Sequence, residues 1–407
     1  MTTEERKAED ARFRQEYPLF AQYPELIYLD NAATTQKPSC VIQAESAFYE
    51  KYNANPFRGV YELAEFATEH YEEARAAVAE LLHANTDEIV FTRNASESLN
   101  LIAYSLGNLV LRPGDEVLVS IMEHHSNLLV WQQAAKRTGA TLRYLDCTQD
   151  GKITAEMVEA AITDKTKIFA VTQISNVLGW KNDIKSFAEI CHRKGCLIVA
   201  DGAQSVPHIE VDVKALDVDF LAFSGHKVYG PTGIGILYGK YDLLADMPPY
   251  QYGGDMIEHV SYEKTSFTNP PARFEAGTPA IVQAIGLGAS LNYLMQFDFN
   301  EIEEYENNLT DYATKQMSEI SGLKILGAAK EKGGVFSFAI DGIHPQDLAF
   351  ILGKEGIAIR TGHFCAEPLV NYLGYTSLAR ASLGIYTIKE DIDEFIKALY
   401  KAKDFFS

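Results

Sequence analysis

The stretch "RTGHFCAEPL", residues 360–369, sets Cys365 two positions after His363 and two before Glu367. A thiol is nucleophilic only as thiolate, and its ordinary pKa near ~8.5 leaves it mostly idle at neutral pH. Arg360, His363 and Arg380 are the cations that could favour the thiolate here. From these residues alone Cys365 is a nucleophile, a metal ligand or a buried structural residue. A second candidate lies in "LAFSGHKVYGPTGIGILYG", residues 221–239, where Lys227 directly follows a strand-like run. A lysine in that place must be paired, neutralised or covalently modified to avoid the cost of an isolated buried charge. Ser224, Gly225, Gly230, Gly233 and Gly235 around it leave room for a flat ligand against the backbone. In "LIVADGAQSV", residues 197–206, Asp201 could hold a metal, act as a base or pair with a protonated ring nitrogen, with Gln204 three positions on. A metal is the weakest of these, because no other acid or thiol lies at ligand spacing. In "FTRNASESLNLI", residues 91–102, a strand runs into a helix, and the free N–H groups near Ala95 and Ser96 form an anion site. Capping by Asn94 or Ser96 is compatible with that use.

Groups of this kind need a frame. Between residues 88 and 240 come "EIVFTRN", "DEVLVSIMEHHSN", "TLRYLDCT", "KIFAVTQISN", "CLIVADGAQ", "DFLAFSGHK" and "GIGILYG", with helical stretches between several of them. Short β-branched or aromatic runs in that rhythm predict a buried, mostly parallel α/β sheet. In such sheets ligands gather at the carboxyl ends of strands. Asn94 and Ser96, His124 and His125, Asn176, Asp201 and Gln204, and Ser224, His226 and Lys227 all fall there. A helical pattern spans about 281–320, and "GVFSFAI", "GIAIRTG" and "LARASLGIY" predict a second, smaller sheet. A final helix is expected to open with the capping box Thr387-x-x-Glu390. Residues 1–22 read as a helical segment of the small domain, 23–290 as a large domain and 291–407 as a small domain carrying the Cys365 loop.

Composition removes other classes of function. At 407 residues, with 47% apolar and 23% charged residues, the chain has the make-up of an ordinary globular protein with more than one core. A formal charge of -20 with no Lys/Arg run argues against nucleic acid or an anionic membrane as partner. Five cysteines fit no disulfide framework or C-x-x-C site, which points to a cytoplasmic protein. No signal segment or eighteen-residue apolar run is evident.

A phosphate site, a lysine for an imine and an acid for a pyridinium nitrogen are what pyridoxal phosphate asks of a protein. "SGHK", "ADGAQ", "EHHSN" and "YLDNAATT" together resemble the class V family of pyridoxal-phosphate-dependent enzymes, and "RTGHFCAEPL" and "FEAGTP" narrow the resemblance to SUF-type (group II) cysteine desulfurases. The resemblance covers the chain from about residue 20 to its end. It implies fold type I, a homodimer and a seven-stranded large-domain sheet. It implies further that Lys227 bonds to the cofactor and later carries the substrate's Cα proton, that Asp201 holds the ring nitrogen, and that Gln204 holds the phenolic oxygen. His124 would stack on the ring, with His125 a packing neighbour. Ala95, Ser96, Ser224 and His226 would hold the phosphate, joined by Thr278 of the second subunit. Asn176 and Arg380, supported by Arg360, would grip the carboxylate of L-cysteine. Cys365 would take the sulfur as a persulfide and pass it to an acceptor protein for iron–sulfur cluster assembly. Cys40, Cys147, Cys191 and Cys196 stay structural. A selenocysteine lyase is the alternative within the fold, and a silent sulfur-carrier scaffold the alternative outside it. The family motif usually reads Gly-His-His-Cys-Ala; here Phe364 replaces the second histidine, and Phe364 and Glu367 are expected on the loop surface where an acceptor docks.

Overall fold

The computed structural model describes residues 12–327 and 332–406. The part of the amino-terminal helical reading that falls on residues 1–11 lies outside the described residues. The seven apolar runs form one seven-stranded sheet: β1 (Ile89–Thr92), β2 (Glu116–Ser120), β3 (Thr141–Leu145), β4 (Thr166–Thr172), β5 (Leu197–Asp201), β6 (Phe220–Ser224) and β7 (Gly235–Gly239). Its order is β1-β7-β6-β5-β4-β2-β3, and only β7 runs against its neighbours. Both faces are covered, so the strands are apolar at nearly every position rather than at every second one. Ile198, Ala200, Leu221 and Phe223 enter one core, while Val199, Phe220 and Ala222 enter the core on the opposite face. The second core also takes Leu99, Ile102, Leu106, Leu128 and Trp131 from α1 (Ala95–Val110) and α2 (His125–Thr138), which pack on each other.

The second sheet contains β8 (Leu323–Ile325), β9 (Val335–Ile340), β10 (Arg360–Gly362) and β11 (Leu378–Ser382), antiparallel in the order β8-β9-β11-β10. No sequence pattern marks β8, which at three residues is too short to give a periodic signal. Between β10 and β11 the chain makes the Cys365 loop and the short helix α3 (Glu367–Tyr372). Ile27–Tyr28 pairs in parallel with Ile357–Ala358, and Asp30 bridges to Ser382, so the start of the chain is bound to this carboxyl-terminal part. The helical pattern of 281–320 divides into Ile281–Leu294 and Phe299–Ser318, because the Asp298 carboxylate caps the second helix through the Asn300 N–H at 2.8 Å. The expected Thr387 box is also corrected. The last helix, α4 (Lys389–Phe405), starts later; Thr387 accepts the Gly384 N–H, and Asp391 accepts the Ile388 N–H at 3.1 Å. Asp391 also pairs with Arg14 at 2.8 Å, which makes it the better-held carboxylate.

Gly235 couples this frame to the site. A β-carbon there would lie 2.3 Å from Asn94 Cα, in the turn that opens α1. Backbone cannot yield as a flexible side chain does. Gly235→Ala is therefore expected to lower stability by about 1–3 kcal/mol and to weaken cofactor binding by displacing the α1 amino terminus. Thermal melts and pyridoxal-phosphate titration check this; a variant equal to the parent in both refutes the coupling.

Candidate active site

The strand ends converge on a cavity of about 470 Å³ lined by Ala95, Ser96, His124, Asn176, Asp201, Gln204, Ser224, His226, Lys227, Arg360, Cys365 and Arg380, among others. Lys227 sits in the single turn Gly225–Lys227 after β6. Burial pushes its amine down to about 8, and the Asp201 carboxylate opposes that shift. Among the described residues its amine has no hydrogen-bond or ion-pair partner. Asp201 ends β5, is 5% exposed, and accepts the Ala203 N–H at 2.9 Å. Burial raises its carboxyl, while that N–H and the Lys227 charge hold it down. The Gln204 amide donates to the Ala32 carbonyl at 2.8 Å.

His124 caps α2. Its Nδ1 accepts the Ser126 N–H at 3.1 Å, which places the ring proton on Nε2 and leaves the ring neutral. Burial, with Lys227 adding to it, pushes the ring down to about 3. At the α1 amino terminus Asn94 accepts the Glu97 N–H at 2.9 Å, and the Ala95 N–H donates to Ser224 Oγ at 2.9 Å. Ser96 and Ser126 share a hydroxyl bond of 2.6 Å. His226, pushed down to about 4 by burial, has Nδ1 3.2 Å from Thr34 Oγ1. These backbone and hydroxyl donors form a pocket suited to a phosphate.

Arg360 and Arg380 face each other across β10 and β11. Asp30 takes Arg360 in three bonds of 2.8 to 3.2 Å and lies 3.6 Å from Arg380. Arg380 is 2% exposed and donates to the Asn176 carbonyl at 3.0 Å, and its Nε has no partner among the described residues. Burial pushes it down to about 10. The Phe364 ring lies 4.7 Å from its guanidinium carbon. Phe364 is thus buried, at 7% exposed, in the core, and the expectation of a surface docking residue is corrected. Its backbone is left-handed, with φ 54°. Glu367 is exposed.

Cys365 is exposed at the cavity edge and also has positive φ, 55°. Left-handed backbone costs a non-glycine residue roughly 1–2 kcal/mol, so neighbours must hold the loop. The Asn176 amide donates to the Phe364 carbonyl at 2.7 Å and the His125 N–H donates to the Cys365 carbonyl at 2.6 Å. The Glu367 N–H donates to His125 Nε2 at 3.1 Å. His125, expected only to pack, makes directed bonds. Thr278 lies outside this cavity, lining another with Arg93, Glu97 and Glu275.

Sequence reasoning gives no role to Asp30, Ser126 or Glu123, although all three stand in quoted motifs. Glu123 is buried, accepts the Thr172 N–H at 2.8 Å and the Asn127 amide at 2.6 Å, and is pushed up to about 8 by burial. An acid directly before His124 at a strand end is the available signal. Among the described residues no His/Cys/Asp/Glu group could hold a metal, and no helix is long and apolar enough to cross a membrane.

Residues 27–395 match the aminotransferase class-V family, so the chain belongs to this pyridoxal-phosphate-dependent family. It is 48% identical, over 94% of both chains, to a probable cysteine desulfurase of Halalkalibacterium halodurans. The fold matches the cysteine desulfurase CsdA of Escherichia coli with TM-score 0.92 and 37% identity, covering 98% of this chain and 99% of that one. The apo cysteine desulfurase of Thermococcus onnurineus NA1 matches with TM-score 0.92 and 40% identity, covering 95% and 96%.

His124 and His226 stay neutral when folded, whereas the unfolded chain protonates them below pH ~6.5. Their contribution to stability is thus complete above that pH and is lost as pH falls toward about 4 and about 3. The cofactor-free protein should melt at progressively lower temperature from about pH 6.5 to about pH 4. His124→Asn, which keeps an acceptor for the Ser126 N–H, should show a shallower fall; an equal slope removes His124 as a cause.

Proposed function

We propose that the protein is a cysteine desulfurase of the SUF type, which moves the sulfur of L-cysteine onto Cys365 and releases L-alanine. The observation that carries this reading is one cavity holding a half-buried amine, Lys227, with no partner among the described residues, near Asp201 and Arg380 and with a thiol at its edge. The relatives named above support it. The residues present fit pyridoxal phosphate, which when bound supplies an electron sink at the substrate's Cα. Lys227 would hold it covalently, being partly neutral near physiological pH, and afterwards carry the Cα proton. Asp201 would keep the ring nitrogen protonated, Gln204 would bond to the phenolic oxygen, and neutral His124 would cover the ring. Ala95, Ser96, Ser224 and His226 would hold the phosphate, with Thr278 completing the cradle from the second subunit of a homodimer.

Arg380, which lines the cavity, and Asn176, with one amide hydrogen still free, would take the substrate carboxylate; charge-assisted bonds of this kind contribute about 1.5–3 kcal/mol each. Arg360 is already held by Asp30 and supports the clamp rather than closing it. The substrate's Cβ–S bond breaks as its sulfur joins Cys365, and the Cys365 persulfide is then handed to an acceptor protein for iron–sulfur cluster assembly. The short loop favours an acceptor that comes to the cavity.

With L-cysteine and pyridoxal phosphate the purified protein should form alanine. Lys227→Ala should lose the bound-cofactor absorbance and slow alanine formation by about 10²–10⁴-fold. Cys365→Ala should keep the absorbance and lose alanine formation. An active Lys227→Ala protein, or persulfide made without Cys365, would overturn the assignment.

A further inference from the structure

The loop carrying the thiol is held in a conformation that its own residues disfavour. Phe364 and Cys365 are consecutive non-glycine residues in the left-handed region, at φ 54° and 55°. Such backbone persists only where the surroundings over-determine it. Two helix starts meet here. His125 is the first residue of α2, and its N–H, which has no acceptor inside the helix, donates to the Cys365 carbonyl at 2.6 Å. Glu367 is the first residue of α3, and its N–H, in the same position, donates to His125 Nε2 at 3.1 Å. The Nε2 lone pair of the His125 ring is the acceptor of this bond. One residue therefore bonds the nucleophile's own carbonyl and the amide two positions on.

We propose that His125 is a positioning residue for Cys365, its ring Nε2 holding the loop so that the thiol stays at the cavity edge. The sulfur-bearing residue is thus set by the large sheet, through α2, and not by the small-sheet strands that carry it. This inference rests on the reading of Cys365 as the sulfur acceptor.

The holoenzyme provides the test through two amide variants. His125→Gln places a side-chain oxygen at about the reach of Nε2, whereas His125→Asn places it one bond short, near the position of Nδ1. The Asn variant should keep the cofactor absorbance and a KM for L-cysteine within about twofold. Its first-turnover alanine should form roughly fivefold to tenfold more slowly, the range expected for one lost hydrogen bond. Its Glu367 amide should exchange faster with deuterium. His125→Gln should restore both the rate and the protection. Equal behaviour of the two variants, or slowing that appears only together with loss of cofactor absorbance or melting temperature, overturns the proposal. Alanine production by Cys365→Ala would instead overturn the assignment of the nucleophile; Glu367 exchange would still distinguish Asn from Gln, so the two failures are separable.

Discussion

Two guanidinium groups set directly opposite each other on neighbouring strands would repel, and the site is organised around the carboxylate that resolves this. Asp30 neutralises the Arg360–Arg380 pair unequally, taking the exposed arginine through Nε and Nη2 and leaving the buried one with an Nε that has no partner among the described residues. Arg380 is therefore a cation with unused donors in a place where water is largely excluded, which is the condition for recognising an anion strongly. Its remaining neighbour is the Phe364 ring, next to Cys365. Under the proposed function, carboxylate recognition and sulfur transfer would thereby meet at one cation–ring contact.

A second pair works on the same physics from the large sheet. Asp201 is buried and Lys227 half-buried, and each opposes the loss of charge that desolvation imposes on the other. Asp201 ends β5 and Lys227 closes the turn after β6, adjacent parallel strands whose common carboxyl edge brings the two together. The neighbouring histidines are kept neutral by burial and by these cations, so the cavity carries charge only at its acids, lysine and arginines.

The large sheet is legible because strands buried on both faces become continuous apolar runs, and all seven runs are strands. The grouping of Asn94, His124, Asn176, Asp201, Ser224 and Lys227 follows from strand-end geometry alone. Asp30 is not legible, since its partner Arg360 lies 330 positions away and no local pattern announces such a pair. Phe364 is misjudged because an aromatic in a loop suggests exposure, whereas its ring packs in the core against Arg380, a contact between residues 16 positions apart that no local pattern announces. Thr387 loses its capping role to Asp391, which has a second partner in Arg14. Ser126 reads as an ordinary early-helix residue, and only its position between His124 and Ser96 gives it a role.

The pairing of Ile27–Tyr28 with Ile357–Ala358 has a bearing on how the molecule is made. During synthesis the amino-terminal strand leaves the ribosome long before the segment it must join. The intervening seven-stranded sheet has all its strands by residue 239 and can condense first. Closing a loop of that length is entropically slow compared with local contacts. The newborn chain can thus hold Lys227 and Asp201 in a formed sheet before Arg360, Cys365 and Arg380 are made, and under the proposed function chemical competence would arrive last, with the segment that carries those three.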